Sequence, residues 1–449
     1  MSNLSPRTIT NFAQSDAYRA EVHRFIVGGA HTYSKGDDQF PSLAPAAIAR
    51  GKNGRVWDLD GNEYVDCALG LGAVSLGHAY EPVLAAVREQ LELGAAFQRP
   101  ASVELDLAEQ FLSLTPGMDR IKYAKNGSNV TTAAVKLARA FTGRDLVAFP
   151  GNHSFYSFDD WFIGSTAVHA GVPDGIRTFS VTYDSARPET LQALFDAYPG
   201  RIACVITEPE EVLYGSPEPL REVEKITKAG GAVFIIDEMV TGFRAGLPGA
   251  YTGQGLRPDL VTWGKAIGNG FSFCALTGRA EIMELGGIRQ TEKPRVFLLS
   301  STHGGEAHTL AAALAVIREY RKHDVIARQH ILVARVAAGM RAHIAARGLA
   351  DAIEVHASPW RVVLVFKDSE NKVCTQLRTL MLQEMIGRGV LFQGVFLPCF
   401  AHTESDIDYV LEAFDKACEI YRHALSHGVD GLLVGPATRP VFRKFVSDR

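Results

Sequence analysis

The stretch 231–270 constrains this chain of 449 residues more than any other part of it. It contains two short apolar runs, 232–236 and 259–263, that are rich in Val, Ile, Leu and aromatic residues. Runs of this length that end in polar residues are typical of buried strands in a parallel α/β sheet. The first run ends at Asp237 and the second leads into Lys265. Because ligands bind beyond the carboxyl ends of parallel strands, we expect this acid and this amine at one edge of the sheet.

Two interpretations of Asp237 and Lys265 are open at this point. A buried ion pair is the ordinary explanation for an acid and a lysine at the ends of two strands. The alternative is a site for pyridoxal phosphate (PLP). Lys265 lies in a glycine-punctuated loop, residues 264–270, where little side-chain bulk blocks access to its amine. A lysine that forms a Schiff base needs that access and a lowered pKa, and an acid at the ring nitrogen makes a bound pyridine ring an electron sink.

The residues around this pair resemble a known family. The segments IIDEMVTGFR and PDLVTWGKAIGNGF are similar to the core of the class III aminotransferases, and most similar to the glutamate-1-semialdehyde 2,1-aminomutase-like branch. The resemblance extends over residues 20–425 and implies an α/β fold of fold-type I, which is aspartate aminotransferase-like. Such a fold has a large domain around a mostly parallel sheet and a smaller α/β domain. The resemblance also implies PLP bound to Lys265 as a Schiff base, with Asp237 at the ring nitrogen and Met239 against the ring.

A strand, a tight turn and a helix start predict a phosphate-binding site. The apolar strand 121–124 leads into a loop that contains Gly127, Ser128 and Asn129, and an alanine-rich helix follows over 130–141. Free backbone N–H groups and a hydroxyl at a helix start bind phosphate. The alternative is that Ser128 or Asn129 only caps the helix, and both functions use the same donors. The family has Ser-Gly-Thr here, which implies that Gly127 and Ser128 hold the PLP phosphate.

An aromatic residue, a carboxylate and a threonine complete the cofactor site that the resemblance implies. The aromatic residue that stacks on the PLP ring corresponds to Phe155 in our preferred alignment and to His153 in the alternative one, and either flat ring suits a pyridine. Glu208 follows the buried strand 202–207 and matches the family's Glu-Pro, although a surface carboxylate is the other interpretation. Thr302 corresponds to the threonine that reaches the PLP phosphate of the partner subunit. The implied assembly is therefore a homodimer with shared active sites.

The segments expected to bind the substrate depart from the aminomutase pattern. In the first of these segments, 31–35, the chain keeps only a hydroxyl and a positive charge of the aminomutase pattern, at Thr32 and Lys35. Arg99 lies in a second loop, 98–101, whose sequence also differs from that pattern. The C-terminal loop 394–400 is shorter than in the family and lacks its glutamate. We therefore expect an intermolecular aminotransferase rather than an enzyme that acts on glutamate-1-semialdehyde.

The expected reaction moves an amino group from an amino acid, with glutamate as the leading candidate, to a keto or aldehyde group of an unusual acceptor. By analogy with branch members that carry similar loops, the acceptor is a sugar, a cyclitol or a related ring in specialised metabolism. The first alternative is a 2,1-aminomutase. The second, from another class, is a PLP-fold protein that only binds and does not catalyse.

Composition and apolar patterning give the remaining expectations. A hydrophobic content of 47% with 21% charged residues is ordinary for a globular protein. The net charge is −4 and the basic residues are scattered, so the sequence predicts no basic surface that would bind nucleic acid or an anionic membrane. The six cysteines contain no CxxC motif, so neither a disulfide nor a metal site is expected. With no long apolar run and no signal-peptide pattern, a cytoplasmic protein is expected.

Four segments are expected along the chain. Residues 1–75 join the small domain, 76–325 form the large PLP-binding domain and 326–425 form the C-terminal small domain. The last segment, 426–449, is an extension to which the sequence assigns no chemistry. A β-hairpin is predicted at 54–66, because the residues alternate and a turn signal, Asp-Gly, lies between the two halves.

Overall fold

The computed structural model describes residues 7–152, 155–209, 216–439 and 441. The chain divides into two compact units. The central unit consists of Ala73–Ser75 and Glu81–Ile326. The terminal unit consists of the chain up to Gly72, Leu76–Tyr80 and the chain from Ala327 onward.

The described ranges alternate between helices and strands. The strands are, in chain order, β1 (Ile48–Lys52), β2 (Arg55–Asp58), β3 (Glu63–Asp66), β4 (Arg120–Ala124), β5 (Leu146–Pro150), β6 (Ser180–Tyr183), β7 (Ile202–Thr207), β8 (Val233–Asp237), β9 (Leu260–Trp263), β10 (Cys274–Gly278), β11 (Ile353–Ser358), β12 (Arg361–Phe366), β13 (Val390–Leu391) and β14 (Val395–Phe396). The longer helices are Ala13–Phe25, Glu81–Leu93, Ser102–Leu112, Gly127–Thr142, Glu189–Ala197, Pro217–Ala229, Ala307–Lys322, Val325–Ala346, Thr375–Ile386 and Glu404–His427. The shorter helices and 3-10 turns are Tyr33–Lys35, Asp37–Gln39, Leu69–Gly72, Asp160–Ile163, Asp174–Arg177, Ala250–Gly253, Lys265–Gly268, Ala280–Met283 and Glu284–Gly286. None of the helices in these ranges combines the length and the apolar character needed to cross a membrane.

A seven-stranded sheet forms the centre of the central unit. Its strand order is β4-β10-β9-β8-β7-β5-β6. In this sheet β10 runs antiparallel to its neighbours β4 and β9, whereas the pairs from β9 to β6 are parallel. This mostly parallel sheet confirms the α/β fold class predicted from the sequence. Because β7, β8 and β9 are parallel neighbours, their carboxyl ends meet at one edge.

The two apolar runs that dominate the sequence are confirmed as neighbouring buried strands. Every residue of β8 and β9 is buried. The two strands pair in parallel, and Asp237 lies opposite Thr262 in the register. Asp237 is therefore the last residue of β8, and the neighbouring strand β9 leads into Lys265.

The helix Gly127–Thr142 begins earlier than the alanine-rich pattern predicts. Its N-cap is Asn126, whose side chain accepts a hydrogen bond from the Asn129 backbone N–H at 3.1 Å. The alternative that Ser128 or Asn129 caps the helix is therefore wrong. Ser128 lies inside the first turn, and its hydroxyl accepts a hydrogen bond from the Phe158 N–H at 3.0 Å instead.

The terminal unit contains two small sheets and, among its described residues, long helices from both ends of the chain. One sheet has the order β1-β2-β3-β13 and the other β11-β12-β14. The hairpin predicted at 54–66 is confirmed, because β2 and β3 pair antiparallel with Arg55 opposite Val65. The helices Val325–Ala346, Thr375–Ile386 and Glu404–His427 contribute buried side chains to one hydrophobic core.

Candidate active site

Asp237 is fixed at the carboxyl end of β8. It is 2% exposed, and its Oδ1 accepts hydrogen bonds from the Thr262 hydroxyl at 2.8 Å and from the Met239 N–H at 3.0 Å. One bond comes from the neighbouring strand and the other from the turn after β8. The carboxylate therefore has a single orientation that the sheet itself determines.

Lys265 follows β9 in a strained backbone conformation. Its φ is +48°, a left-handed value that side-chain-bearing residues rarely adopt and that is found mainly where function requires it. Burial lowers the pKa of its amine, whereas the nearby carboxylates of Glu208 and Asp237 raise it. The structure thus brings together the amine and the two acids that the sequence predicts at this edge. Buried Arg244 adds a further lowering effect on the Lys265 pKa.

The residue before the lysine has no space for a side chain. A Cβ on Gly264 would lie 2.4 Å from Met239 Sδ and 2.6 Å from Cys274 Sγ. A Cβ on Gly127 would lie 3.0 Å from Met239 Cε. Met239, which is 8% exposed, therefore touches both the start of the Gly127–Thr142 helix and the loop that carries Lys265. The thioether connects the predicted phosphate site to the predicted lysine site.

The first turn of the Gly127–Thr142 helix offers donors for an anion. The N–H groups at a helix start have no partners within the helix, and the helix dipole favours negative charge there. The Ser128 hydroxyl accepts a bond from Phe158, so its own proton is available as a donor. Thr131 in the next turn donates to the Tyr156 carbonyl at 2.9 Å, which ties the 155–159 loop to this helix.

The predicted stacking residue lies in that loop. Phe155 is 45% exposed and makes an edge contact with Phe162, at a ring-centroid distance of 6.0 Å. The next residue, Tyr156, is buried and contacts the same ring. The alternative stacking residue, His153, lies outside the described residues.

Thr302 lies in an exposed loop against the end of β4. Glu306, at the end of the loop, accepts hydrogen bonds from the Lys125 amine at 2.8 Å and from the Gly304 N–H at 3.0 Å. Burial acts to raise the pKa of Glu306, but these bonds outweigh burial and hold the pKa at about 2. The loop also borders a cavity of about 230 Å³ beside the helix start.

The three predicted substrate residues lie on other segments of the chain. Arg99 is exposed in the segment before the Ser102–Leu112 helix, in the central unit. Thr32 and Lys35 belong to the terminal unit, where Thr32 precedes the turn Tyr33–Lys35 and Lys35 is exposed.

Sequence reasoning missed a layer of buried polar residues behind the lysine. The Ser75 hydroxyl donates to the Ala266 carbonyl at 2.8 Å, and Asn269 Oδ1 accepts from the Ser75 N–H at 3.0 Å. Arg244, fully buried, donates to the Val74 carbonyl at 3.4 Å. The two Ser75 bonds hold the loop after Lys265. Arg244 was readable in the sequence as a charged residue inside an apolar, glycine-rich motif.

Glu238 is a second missed residue, next to Asp237. It is fully buried, and its carboxylate accepts hydrogen bonds from the Thr241 hydroxyl at 2.5 Å and from the N–H groups of Ala250 and Tyr251 at 3.1 and 2.7 Å. Burial raises its pKa to about 7, although the hydrogen bonds act in the opposite direction. Glu238 therefore holds the 249–251 turn in place.

The residues of this edge fit a planar, phosphate-bearing pyridine aldehyde. Gly127 and Gly264 keep side chains out of the space beside Met239, the helix start supplies donors for a phosphate, and the amine and the acid supply the groups that a pyridine aldehyde requires. A lysine after one parallel strand and an aspartate after its neighbour, with this helix start, define a PLP-dependent enzyme of fold-type I.

Comparison with known proteins gives the family. The sequence model of the family Aminotransferase class-III matches residues 33–417. A glutamate-1-semialdehyde 2,1-aminomutase of Thermus thermophilus is 33% identical over 433 residues, which cover 90% of this chain and 99% of that protein. The chain therefore belongs to the class III aminotransferases, and pyridoxal 5′-phosphate is its cofactor.

Solved structures share the fold. The FumI protein of Sphingopyxis sp. MTA144, in its PLP internal aldimine form, is 25% identical with a TM-score of 0.83, covering 92% of this chain and 97% of that one. A glutamate-1-semialdehyde-aminomutase from Pseudomonas aeruginosa PAO1 is 23% identical with a TM-score of 0.76, covering 91% of this chain and 94% of that one. Both cover both units of this chain, which confirms the predicted fold class along nearly its whole length.

Proposed function

We propose that this enzyme transfers an amino group from an amino acid to a keto or aldehyde group of an acceptor other than glutamate-1-semialdehyde. The observation that carries the proposal is the placement of Lys265 and Asp237 after adjacent parallel strands, with the lysine pKa lowered by burial. A lysine with a lowered pKa has a larger neutral fraction near neutral pH, and only a neutral amine is a nucleophile or a proton acceptor.

Two residues of the central unit are proposed to have chemical roles in the reaction. PLP, when bound, supplies an electron sink for the carbon that bears the amino group. Lys265 Nζ attaches the cofactor and then moves a proton at the substrate carbon. Asp237, oriented by Thr262 and Met239, would hold a proton at the ring nitrogen of the cofactor and stabilise its positive charge.

A second group of residues fixes the position of the ring. Gly127 and Ser128 would hold the phosphate of the cofactor, and Met239 and Phe155 would pack against its ring. Glu208 sets the charge beside the amine, since its carboxylate raises the pKa of Lys265. A fixed ring keeps the reacting carbon within reach of one amine, which is what makes proton transfer efficient.

The acceptor is proposed to be a sugar, a cyclitol or a related oxygenated ring, with glutamate as the donor. Support comes from the residues proposed to bind the substrate: Thr32 offers a hydroxyl, and Lys35 and Arg99 offer positive charge. Hydroxyl and cationic groups suit a substrate that carries several hydroxyls and an anionic group. These three residues do not reproduce the site that binds the substrate carboxylate in the aminomutase pattern.

The experiment is a spectral screen of the purified holoenzyme. Amino acids are added one at a time, and loss of the visible absorbance of the lysine-bound cofactor identifies donors. Candidate carbonyl compounds are then added to the amine-loaded enzyme, and recovery of that absorbance identifies acceptors. Borohydride reduction followed by peptide mass spectrometry is expected to find a pyridoxyl group on Lys265, and a wild-type enzyme without that adduct would contradict the proposal.

A 2,1-aminomutase is the second candidate, favoured by the name of the Thermus relative. A mutase needs no separate donor and gives a product of the same mass as its substrate, whereas a transaminase releases a keto acid. Incubation with glutamate-1-semialdehyde alone therefore separates the two. A holoenzyme whose absorbance responds to no amine would instead indicate the non-catalytic binding protein.

The unit of function is proposed to be a cytoplasmic homodimer in which Thr302 of each subunit reaches the cofactor phosphate of the other. The exposure of the loop around Thr302 supports such a contact. Mixing Lys265→Ala subunits with Thr302→Ala subunits tests it, because a shared site restores one complete site per mixed dimer, and separate sites restore none.

A further inference from the structure

The segment after the last long helix is bonded to the N-terminal part of the terminal unit. We name residues 432–439 the C-terminal strap. The Arg439 N–H donates to the Asp38 carbonyl at 2.9 Å, and the Gln39 side-chain amide donates to the Arg439 carbonyl at 2.8 Å. The backbone of Arg439 is therefore bonded in both directions to the turn Asp37–Gln39, which follows the proposed substrate residues Thr32 and Lys35 directly.

A second connection runs from the strap through two side chains to the substrate segment itself. Thr438 is 6% exposed, and its hydroxyl accepts a hydrogen bond from Arg378 Nη1 at 2.9 Å. Arg378 Nη2 donates to the Gln393 carbonyl at 3.0 Å, and the Gln393 amide donates to the Ser34 carbonyl at 3.4 Å. Ser34 lies between Thr32 and Lys35. The strap is thus connected to both ends of the 32–39 segment.

Arg378 depends on these neutral oxygens. Burial lowers the pKa of its guanidinium, and no carboxylate in the described part of the chain forms an ion pair with it. A mostly buried cation that loses one of its few acceptors is left with an unmade hydrogen bond, and its side chain moves to find another. The Thr438 hydroxyl therefore controls the position of Arg378 and, through Gln393, that of Ser34.

Ion pairs of Asp37 also attach the 32–39 segment, and they are weaker. Asp37 pairs with His23 at 2.8 Å and with Arg19 at 3.6 Å, and the side chains of all three are partly exposed. Exposed pairs contribute little, and salt screens them. The buried hydroxyl of Thr438 and the backbone bonds of Arg439 are less accessible to water and salt than these ion pairs, so we expect them to contribute more to holding the segment.

We propose that Thr438 and Arg439 are positioning residues for the substrate. They hold the 32–39 segment in the conformation that presents Thr32 and Lys35 to the hydroxyl and anionic groups of the acceptor. The proposal rests on the proposed function. Its consequence is that changes in the strap raise KM for the acceptor while the attachment of the cofactor to Lys265 and kcat are kept.

The test compares Thr438→Val, which removes the hydroxyl at nearly constant volume, with Thr438→Ser, which keeps it. Both are purified as full-length holoenzymes and assayed with the acceptor that the screen identifies. Thr438→Val removes the hydrogen bonds of this hydroxyl with Arg378 and, at 3.1 Å, with the Thr379 hydroxyl. We expect it to raise the acceptor KM about 5- to 30-fold, with kcat within about twofold. Thr438→Ser is expected to restore KM to within about twofold of the wild type, because the hydroxyl is retained.

Hydrogen exchange gives a readout that does not depend on activity. Faster exchange is expected in the peptide that covers residues 32–39 of Thr438→Val. A chain shortened to end at residue 434 loses both strap connections and is expected to show the same changes, larger in size. A chain that ends at residue 441 retains them and is the matched control. Gln39→Ala, which removes only the contact to the Arg439 carbonyl, serves if Thr438→Val fails to fold.

Three outcomes would overturn the proposal. If the wild-type enzyme is active but Thr438→Val and the chain ending at 434 both keep its acceptor KM, the C-terminal strap does not position the substrate. Equal losses in kcat and in pyridoxyl labelling of Lys265 indicate a general structural role instead. A wild-type enzyme that reacts with no amine and carries no pyridoxyl adduct overturns the proposed function, and with it this inference.

Discussion

The cluster around Lys265 and the 32–39 segment are held in place in opposite ways. Asp237 ends β8 and Lys265 follows β9, and the hydrogen bonds that orient Asp237 come from the turn after β8 and from the neighbouring strand. The 32–39 segment is mostly half-buried, and its partners Gln393 and Arg439 are separated from it by 359 and 400 positions. The proposed catalytic pair lies on a sheet edge, whereas the 32–39 segment is bonded to residues near the far end of the chain.

This difference has a consequence for how such an enzyme changes specificity. A tightly packed sheet edge tolerates few substitutions, and here Asp237 Oδ1 accepts two hydrogen bonds and Gly264 has no space for a Cβ. A segment that is attached by a few long-range bonds changes conformation when one remote partner changes. We therefore expect substitutions in the two regions to differ in the size and the kind of their effects.

The largest effect is expected at Lys265. Lys265→Ala removes the nucleophilic amine of the proposed site, and activity is expected to fall at least about 10³-fold, since general acid–base catalysis alone contributes roughly 10²–10⁴-fold. Steady-state assays and borohydride labelling measure the loss. Lys225→Ala, which alters a lysine exposed on the helix Pro217–Ala229, is the matched control and is expected to keep full activity.

Glu238 is expected to make the stability of the central unit depend on pH. Its folded-state pKa, about 7, is raised above the ordinary value of 4.5, so the folded protein binds more protons than the unfolded one between these two values. Its contribution to stability is therefore fully present below pH 4.5 and is lost as the pH rises toward 7. The loss amounts to at most about 3 kcal/mol.

Thermal unfolding of the wild type and of Glu238→Gln, followed from pH 4.5 to 7, measures this effect. The amide has no proton to release, so the variant is expected to lack the decline, although the loss of an acceptor for Ala250 or Tyr251 destabilises it at every pH. Glu92→Gln, at an exposed site, is the control and is expected to keep the wild-type slope. If the stability of the wild type and of Glu238→Gln declined equally with rising pH, a group other than Glu238 would be responsible for the decline.

Much of the fold was predictable, because the signals are local. The strands β7, β8 and β9 consist largely of apolar residues and lead into polar ones, and that pattern needs no knowledge of the rest of the chain. The antiparallel strand β10 escaped prediction, because its sequence CALTG is short and carries no signal of direction. Strand direction is decided by the tertiary path of the chain.

The site was predictable only in part, for the same reason. Asp237 and Lys265 were found from their places after two strands, whereas the left-handed backbone of Lys265 and its neighbours Ser75 and Arg244 were not. Those contacts join residues that are far apart in sequence, so composition and spacing do not reveal them. The C-terminal strap belongs to the same class, because nothing in residues 432–439 alone indicates that their partners lie near residue 38.

Gly264 tests the rigidity of the sheet edge. Gly264→Ala places a Cβ against Met239 Sδ and Cys274 Sγ, both on buried side chains, and overpacking of this kind typically costs about 1–3 kcal/mol. A lower thermal midpoint and weaker PLP binding are expected, and adding Met239→Ala is expected to recover part of both. Gly253→Ala, where a Cβ meets nothing within 4 Å, is the control and is expected to be neutral or slightly stabilising. If Gly264→Ala kept the thermal midpoint and the PLP binding of the wild type, the residues around Gly264 would be able to move apart for the added Cβ, and this edge would not be rigid.

The smallest effect is expected at Asp37, on the other attachment of the 32–39 segment. Asp37→Asn weakens the pairs with His23 and Arg19, and because these side chains are partly exposed, the change is expected to cost less than about 1 kcal/mol. The acceptor KM is expected to rise less than about threefold, and the difference is expected to disappear at about 0.5 M salt, where charges are screened within a few ångströms. Measuring KM for Asp37→Asn and Thr438→Val at low and high salt therefore separates the two attachments. If Asp37→Asn raised KM as much as Thr438→Val, the N-terminal helix rather than the C-terminal strap would determine the position of the substrate segment.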